Sequence, residues 1–234
     1  MDFLDTSYRS PWFVGLALFA VVATSGLFLY PSSSPKADAP ATPQESSVNP
    51  AVADTATFAG GCFWCMEPPY DKMDGVASTT SGFAGGDQVD PSYREVASGA
   101  TNHTEVVQVI YDSTKVSYER LLRVYWHNVD PFDGTGQFCD RGSQYRPAVF
   151  AHSARQKRLA EESKTTVAAR FEQPIAVEIE RLDAFYAAEQ YHQNYYQKNP
   201  DRYTNYRQGC GRDARLRDIW GEAAMSDAPL DGAA

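Results

Sequence analysis

Residues 60–65 of the chain read Gly60-Gly61-Cys62-Phe63-Trp64-Cys65. The apolar segment from Thr55 to Ala59 predicts a strand before this stretch, and the residues from Phe63 to Met73 predict a helix after it. Cys62 is therefore expected at a strand-to-helix turn, near the positive end of the helix dipole. A thiol in such a position has a lowered pKa and forms the nucleophilic thiolate. Taken alone, the stretch also fits a buried structural cysteine in an aromatic core.

The composition indicates a globular domain that binds neither nucleic acid nor a structural metal. The net charge of −9 argues against a nucleic-acid partner, because phosphate binding requires a basic face. The chain has 234 residues and only 4 cysteines, too few for a scaffold held by many disulfides. The Cys62-x-x-Cys65 spacing is the weak form of a zinc signal, since no second ligand pair follows at finger-like spacing. We therefore expect no metal.

The N-terminal part predicts a membrane anchor followed by a linker. After a short polar start, residues 1–11, the stretch 12–30 contains no Asp, Glu, Lys or Arg. As a helix it would measure about 28 Å, close to the hydrocarbon core of about 30 Å. An uncleaved transmembrane anchor is the first interpretation. A cleaved signal segment is the second, although its apolar region is usually shorter, about 7–15 residues, and a buried core helix is the third. Residues 31–54 are rich in Ser, Pro and Ala and predict a disordered linker.

The remaining sequence predicts one catalytic domain, residues 55–222, and a flexible C-terminal tail, residues 223–234. We expect the domain to lie outside the cytoplasm, in the periplasm, tethered to the membrane. Cleavage and export of the domain is the second choice.

Strand and helix patterns interleave between Thr55 and Trp220, which predicts an α+β fold, a two-layer sandwich with a mixed sheet and packed helices. The segment from Glu105 to Tyr111 predicts a strand, with Glu105 on the apolar face by two-residue alternation. A long loop, Asp130 to Arg146, is a candidate functional loop. The segment from Ala187 to Tyr196 predicts a short helix, and the glycines around Cys210 predict a mobile tail cysteine.

Several residues can assist the Cys62 thiol. Burial of Glu105 would raise its pKa and keep a proton available near neutral pH, although most glutamates are exposed. Phe63 and Trp64 can form an apolar wall or belong to the core. Tyr93 and Tyr145 lie in polar loops where a hydroxyl can donate to a ligand oxygen, although ordinary packing also accounts for each.

A second thiol is also within reach. Either Cys65, one helical turn away, or Cys210 can attack an oxidised Cys62 and form a disulfide, which fits a sulfenic-acid route.

A series of blocks in the same order and spacing closely resembles the peptide methionine sulfoxide reductase A family. The resemblance extends over essentially all of Thr55 to Arg215. The blocks are Gly61-Cys62-Phe63-Trp64, Gly82-Phe83-Ala84-Gly85-Gly86, Pro91-Ser92-Tyr93-Arg94-Glu95-Val96, Gly99-Ala100-Thr101-Asn102-His103-Thr104-Glu105, Asp130-Pro131, Asp140-Arg141-Gly142-Ser143-Gln144-Tyr145-Arg146, and His192-Gln193 with Lys198-Asn199-Pro200.

The resemblance implies reduction of methionine S-sulfoxide in proteins, with free methionine sulfoxide left open as a substrate. Cys62 would attack the sulfoxide sulfur and Glu105 would protonate its oxygen. The remaining implied site residues are the oxygen-binding Tyr93 and Tyr145, the methyl-binding Phe63 and Trp64, and Asp140 on the polar side of the pocket. No bound cofactor is implied, but an external, thioredoxin-like dithiol reductant would be required. The chain is expected to act as a monomer on oxidised proteins or peptides.

The resolving thiol stays open at this point, because many family members carry Gly where Cys65 stands and some carry a tail cysteine like Cys210. We place Cys65 first for proximity, with Cys210 as an alternative resolver or as a second step that moves the disulfide outward. Cys139 is either a packed thiol or a third participant. Two other functions remain as alternatives: a thiol–disulfide oxidoreductase that uses Cys62-x-x-Cys65, and a non-catalytic binding domain on an anchor.

Overall fold

A computed structural model describes residues 48–231 of the chain. The predicted anchor, nearly all of the predicted linker and the last three residues lie outside this range. Within residues 48–231, no helix has the length and apolar character needed to cross a membrane.

A six-stranded mixed sheet forms the centre of the fold, in the order β7-β6-β1-β3-β2-β8. Neighbouring strands are antiparallel except β6 and β7, which are parallel. β4 and β5 form a separate antiparallel hairpin. The strands are β1 (Ala53–Gly60), β2 (Val76–Ala84), β3 (Thr104–Asp112), β4 (Gly136–Gln137), β5 (Asp140–Arg141), β6 (Pro147–Ala151), β7 (Glu178–Arg181) and β8 (Phe185–Ala187).

The helices pack against this sheet and against one another, so the predicted α+β fold with a mixed sheet is confirmed. Ser117 caps α3 and Ser153 caps α4, each accepting a backbone hydrogen bond three residues on, as serine does at helix starts. The helices within the described range are α1 (Phe63–Asp71), α2 (Tyr93–Ala97), α3 (Tyr118–Trp126), α4 (Ala154–Ala168), α5 (Tyr195–Lys198), α6 (Pro200–Gly209) and α7 (Arg212–Trp220).

The main core lies between the sheet and helices α1 and α3. Alternate residues of β3, including Val107 and Val109, point into it together with Phe58 of β1. Phe58 stacks on Tyr70 of α1, with ring centroids 5.2 Å apart, and on Tyr125 of α3 at 5.4 Å. The predicted two-residue alternation of β3 is therefore confirmed, and it places the start of that strand beside the N-terminus of α1.

Two predictions for the C-terminal part are wrong. The segment from Ala187 to Tyr196 is not a continuous helix: its beginning pairs with the edge of β2, and only α5 is helical near its end. Contact with β2 continues beyond β8 through a side chain: the amide group of Gln193 accepts a hydrogen bond from the backbone N–H of Ser81 and donates one to the Ser81 carbonyl. Cys210 is also not a mobile tail residue, since it lies between α6 and α7 and is bonded to Cys139.

Residues beyond α7 contact α3 and the end of that helix. Asp227 forms an ion pair with Arg120, 2.6 Å from oxygen to nitrogen, and the amide of Met225 donates to the carbonyl of His127. Leu230 is buried.

Candidate active site

The turn between β1 and α1 carries Cys62, which is the N-cap residue of the helix and is 6% exposed. The turn requires glycine before the cysteine, because Gly61 has φ of +81° and a Cβ there would lie 2.6 Å from Cβ of Gln137. At Gly60 a Cβ would lie 2.7 Å from the sulfur of Met66. The strand-to-helix position predicted from the glycine pair is therefore observed, with the thiol at the edge of the core.

Glu105 lies at the beginning of β3 directly beside this turn. Its Oε2 accepts a hydrogen bond from the backbone N–H of Phe63, at 3.1 Å, and the side chain is 1% exposed. Burial raises the pKa of Glu105 to about 8, partly opposed by that hydrogen bond. The carboxyl group therefore holds a proton at neutral pH, as an acid must before it can donate one.

An aromatic cluster surrounds the first turn of α1. The ring of Phe63 lies 6.3 Å from that of Tyr93 and 5.0 Å from that of His192. Trp64 stacks on Tyr195, with centroids 3.7 Å apart, and its indole N–H donates to Nδ1 of His192 at 3.1 Å. Phe63 is buried and Trp64 is half-buried.

The hydroxyl groups of Tyr93 and Tyr145 are both influenced by Glu105 and Cys62. Burial raises the pKa of Tyr93 and that of Tyr145, and the nearby charges of Glu105 and Cys62 raise both further. Both phenols therefore keep their protons and can donate hydrogen bonds to an oxygen atom beside Glu105.

Asp140, on the hairpin β4–β5, forms the polar side of the site. It accepts a hydrogen bond from the hydroxyl of Tyr206, 2.5 Å away. Burial raises the pKa of Asp140, while the hydrogen bond from Tyr206 and the charge of Arg212 lower it.

Cys65 is the thiol that the fold brings to Cys62. Its backbone N–H donates to the carbonyl of Cys62 at 3.0 Å. Burial, followed by the interaction with the Cys65 thiol, raises the pKa of Cys62. Interaction with the Cys62 thiol, aided by the charges of Arg212 and Arg207 and opposed by burial, lowers the pKa of Cys65 to about 7. The pair therefore ionises as a unit that shares one proton.

Cys210 is not a free thiol, because it forms a disulfide with Cys139, with Cα atoms 4.9 Å apart. Cys139 is exposed, so its interpretation as a packed thiol is wrong. Cys139, Asp140 and Cys210 have ligand atoms within 4.8 Å of one another. Both sulfurs are used in the disulfide, however, and only a thiolate sulfur binds a metal well.

Three residues of the site neighbourhood were not singled out from the sequence: Arg212, Tyr206 and His192. His192 lies in one of the motif blocks, which was the available signal. Tyr206 and Arg212 belong to helices with no apolar stripe, so nothing in the local pattern indicates that they face the site.

Known proteins that are similar to this chain belong to one enzyme family. The family described as peptide methionine sulfoxide reductase matches residues 54–224. The peptide methionine sulfoxide reductase MsrA of Bacillus licheniformis is 48% identical over 170 residues, covering 72% of this chain and 94% of the relative. The enzyme of the same name from Listeria monocytogenes is 47% identical over 169 residues, covering 71% of this chain and 96% of the relative.

The fold is also similar to that of solved structures. Reduced Mxr1 from Saccharomyces cerevisiae matches with a TM-score of 0.63 and 33% identity, covering 67% of this chain and 91% of the other. Methionine sulfoxide reductase A of Corynebacterium diphtheriae matches with a TM-score of 0.60 and 34% identity, covering 68% of this chain and 83% of the other.

Proposed function

The chain belongs to the peptide methionine sulfoxide reductase A family, and on that basis we propose that it reduces methionine S-sulfoxide in proteins with Cys62 as the attacking group. One observation carries the assignment of roles: the buried, protonated carboxyl of Glu105 is hydrogen-bonded to the amide that follows Cys62. Sulfoxide reduction needs this combination, because the oxygen leaves sulfur only when it is protonated.

The first step transfers oxygen from methionine sulfoxide to Cys62: the sulfur–sulfur bond that the attack forms breaks again as the protonated oxygen leaves the methionine sulfur and bonds to the sulfur of Cys62. The Cys62 thiolate attacks the sulfoxide sulfur while Glu105 donates a proton to its oxygen, and Tyr93 and Tyr145 donate hydrogen bonds to the same oxygen. The net change is thiol plus sulfoxide to sulfenic acid plus thioether, so the methionine sulfur gains the two electrons that Cys62 loses. Phe63 and Trp64 form the slot for the S-methyl group, and the slot selects the stereoisomer.

The second step restores the thiol. We assign Cys65 as the group that attacks the sulfenic acid, because it is a free thiol whose backbone N–H donates to the carbonyl of Cys62, whereas Cys210 is bonded to Cys139. A Cys62–Cys65 disulfide and one water molecule are the products. An external dithiol of the thioredoxin type then reduces this disulfide, and no bound cofactor takes part. A general thiol–disulfide oxidoreductase would need neither Glu105 nor the tyrosines.

Turnover of the two epimers of methionine sulfoxide with dithiothreitol tests the proposal. We expect reduction of the S form, with the R form as the matched control substrate, and loss of turnover in Cys62→Ser. Failure to reduce the S form would overturn the function. Mass mapping after one turnover should find a Cys62–Cys65 bridge, and a Cys62–Cys210 bridge would move the resolving role to the C-terminal cysteine.

We further propose that residues 12–30 anchor the enzyme in the membrane and that the catalytic domain lies in the periplasm. The uncharged apolar composition of that stretch supports an anchor, and the Cys139–Cys210 disulfide suits an oxidising compartment. The mass of the mature protein from the membrane fraction tests this. A soluble product that lacks the first 30 or so residues would contradict the anchor and favour the cleaved signal segment.

A further inference from the structure

Glu67 is a buried carboxyl group on α1 that none of the proposed reaction steps uses. The residue is 0% exposed. Its Oε1 accepts a hydrogen bond from the hydroxyl of Ser81 on β2, at 2.9 Å, and another from the backbone N–H of Asn194, at 3.2 Å. A single oxygen therefore joins α1 both to the sheet and to the chain just before α5.

The chain between β8 and α5, residues 188–194, contacts the aromatic cluster of the site through His192. Nδ1 of His192 accepts the indole N–H of Trp64 at 3.1 Å. The imidazole ring also lies 4.2 Å from the ring of Tyr93 and 5.0 Å from that of Phe63. Because His192 is 1% exposed, the chain on either side of it sets the position of this ring.

Hydrogen bonds at the next two residues hold His192 in place. The side chain of Gln193 binds both backbone groups of Ser81, and the N–H of Asn194 binds Glu67. Asn194 has a φ of +53°, in the left-handed region where residues other than glycine are uncommon. Removing the carboxyl of Glu67 would leave this N–H without its acceptor and this conformation without one of its supports.

The carboxyl of Glu67 and the indole of Trp64 lie three residues apart, so they face the same side of α1. The indole stacks on the ring of Tyr195, with centroids 3.7 Å apart and planes 6° from parallel. Stacking fixes the plane of the indole, whereas the hydrogen bond to His192 fixes its rotation within that plane. Helix α1 thus contacts residues 188–194 at two points, and the contact through Glu67 supports the one through the indole.

We propose that Glu67 is a positioning residue that sets the orientation of the Trp64 indole through residues 188–194, and thereby the fit of the substrate's S-methyl group. The inference rests on the proposed function, in which the indole forms one wall of the methyl slot. Burial raises the pKa of Glu67 to about 7, so a large part of the group is protonated at neutral pH. Glutamine therefore imitates both its shape and its accepting oxygen.

A second carboxyl on the same helix provides a matched control. Asp71, one turn further along α1, accepts hydrogen bonds from the hydroxyl of Thr79 on β2, at 2.6 Å, and from that of Tyr196, at 3.1 Å. It makes the same kind of connection between α1, β2 and the start of α5. It binds the far end of a side chain, however, and not the backbone next to His192. Loss of this carboxyl should lower stability without changing the orientation of the indole.

The test observes the indole of Trp64 without substrate and then measures kinetics. Indole N–H signals of the full chain in detergent are recorded by NMR, and Trp64→Leu identifies the signal of Trp64. In Glu67→Leu we expect this hydrogen to exchange with solvent about tenfold faster, the effect of one weakened hydrogen bond. KM for the S-sulfoxide should rise about threefold to tenfold with kcat unchanged. Glu67→Gln should restore both values, and Asp71→Leu should alter neither.

A folded Glu67→Leu protein with unchanged indole exchange would overturn the inference, and so would an equal rise of KM in Asp71→Leu. Faster exchange with an unchanged KM would also overturn it, because the indole would then move without consequence for the substrate. Adding Glu67→Leu to Trp64→Leu should raise KM no further, since the carboxyl acts through the indole, and a full second increase would refute that route.

If Glu67→Leu does not fold, Glu67→Asp takes its place, because the shorter side chain draws the accepting oxygen away from both donors. The expected directions are the same, and unchanged exchange in that variant would overturn the inference. Absence of S-sulfoxide reduction by the unmodified protein would refute the proposed function alone, since the indole exchange is measured without substrate.

Discussion

Replacing Glu105 by glutamine should remove the acid of the reaction while making the protein more stable at neutral pH. The amide oxygen of glutamine can still accept the hydrogen bond from the N–H of Phe63, which Oε2 accepts now. The proton that protonates the sulfoxide oxygen is lost, so reduction of methionine S-sulfoxide should fall by about 10²–10⁴-fold.

The gain in stability follows from the pKa of Glu105. Burial raises it from the ordinary 4.5 to about 8, so between these values the folded protein keeps a proton that the unfolded chain releases. The free energy of unfolding therefore falls as pH rises through this window, by about 1.4 kcal/mol per pH unit, and the carboxyl group costs about 3 kcal/mol at pH 7. Glutamine does not titrate and avoids this loss. Burying its amide adds a cost of about 1–3 kcal/mol that is the same at every pH.

Urea unfolding of both proteins at several pH values gives the measurement. The stability of Glu105→Gln relative to the unmodified protein should increase by roughly 3 kcal/mol between about pH 5 and about pH 8, and it should be flat above that range. Val107, two residues along the same strand face, provides a control as Val107→Ala, whose effect on stability should not change with pH. A relative stability of Glu105→Gln that is equal at both ends of the range would refute the raised pKa, and an unchanged rate of reduction would refute the role as acid.

Three further predictions concern the rest of the site. The double variant Cys139→Ser, Cys210→Ser should lose about 4 kcal/mol of unfolding free energy, since the disulfide closes a loop with a sequence separation of 71; non-reducing urea titration measures this, and equal stability would contradict it. Tyr93→Phe and Tyr145→Phe should each lower kcat about tenfold through loss of a donor to the sulfoxide oxygen, and an unchanged kcat in both would exclude them as donors. Trp64→Leu should raise KM for the S-sulfoxide about tenfold with little change in the reactivity of Cys62; steady-state kinetics decide, and an unaltered KM would remove the indole from the methyl slot.

Local patterns predicted the parts of the site that depend on one element and its immediate neighbours. The glycine pair before Cys62 marks a turn between a strand and a helix, and that turn is present. Glu105 and Val107 are two residues apart, so they lie on the same face of the strand. This spacing predicted that the carboxylate of Glu105 points into the interior, and Glu105 is buried. Both predictions depended only on the identity and spacing of residues that are adjacent in the sequence.

Contacts between distant segments were beyond such patterns. Arg212 binds the carbonyl of Gly60 across 152 positions, and it belongs to a helix whose composition resembles a solvated surface. The partner of Cys139 could not be chosen from the sequence, because local patterns do not show which loops meet. The helix predicted for the segment from Ala187 to Tyr196 is wrong because Ala187 pairs with Gly82 of β2 and the side chain of Gln193 bonds both backbone groups of Ser81, and a local pattern does not contain such distant contacts.

The Cys139–Cys210 bond also determines how the molecule responds to a protease. A single cut between these two residues divides the chain into a fragment that carries Cys62 and Glu105 and a fragment that carries Arg212. The fragments remain covalently joined, so the nicked protein runs as one band on a gel without reductant and as two bands with it. Such a two-chain form retains every side chain assigned to the reaction.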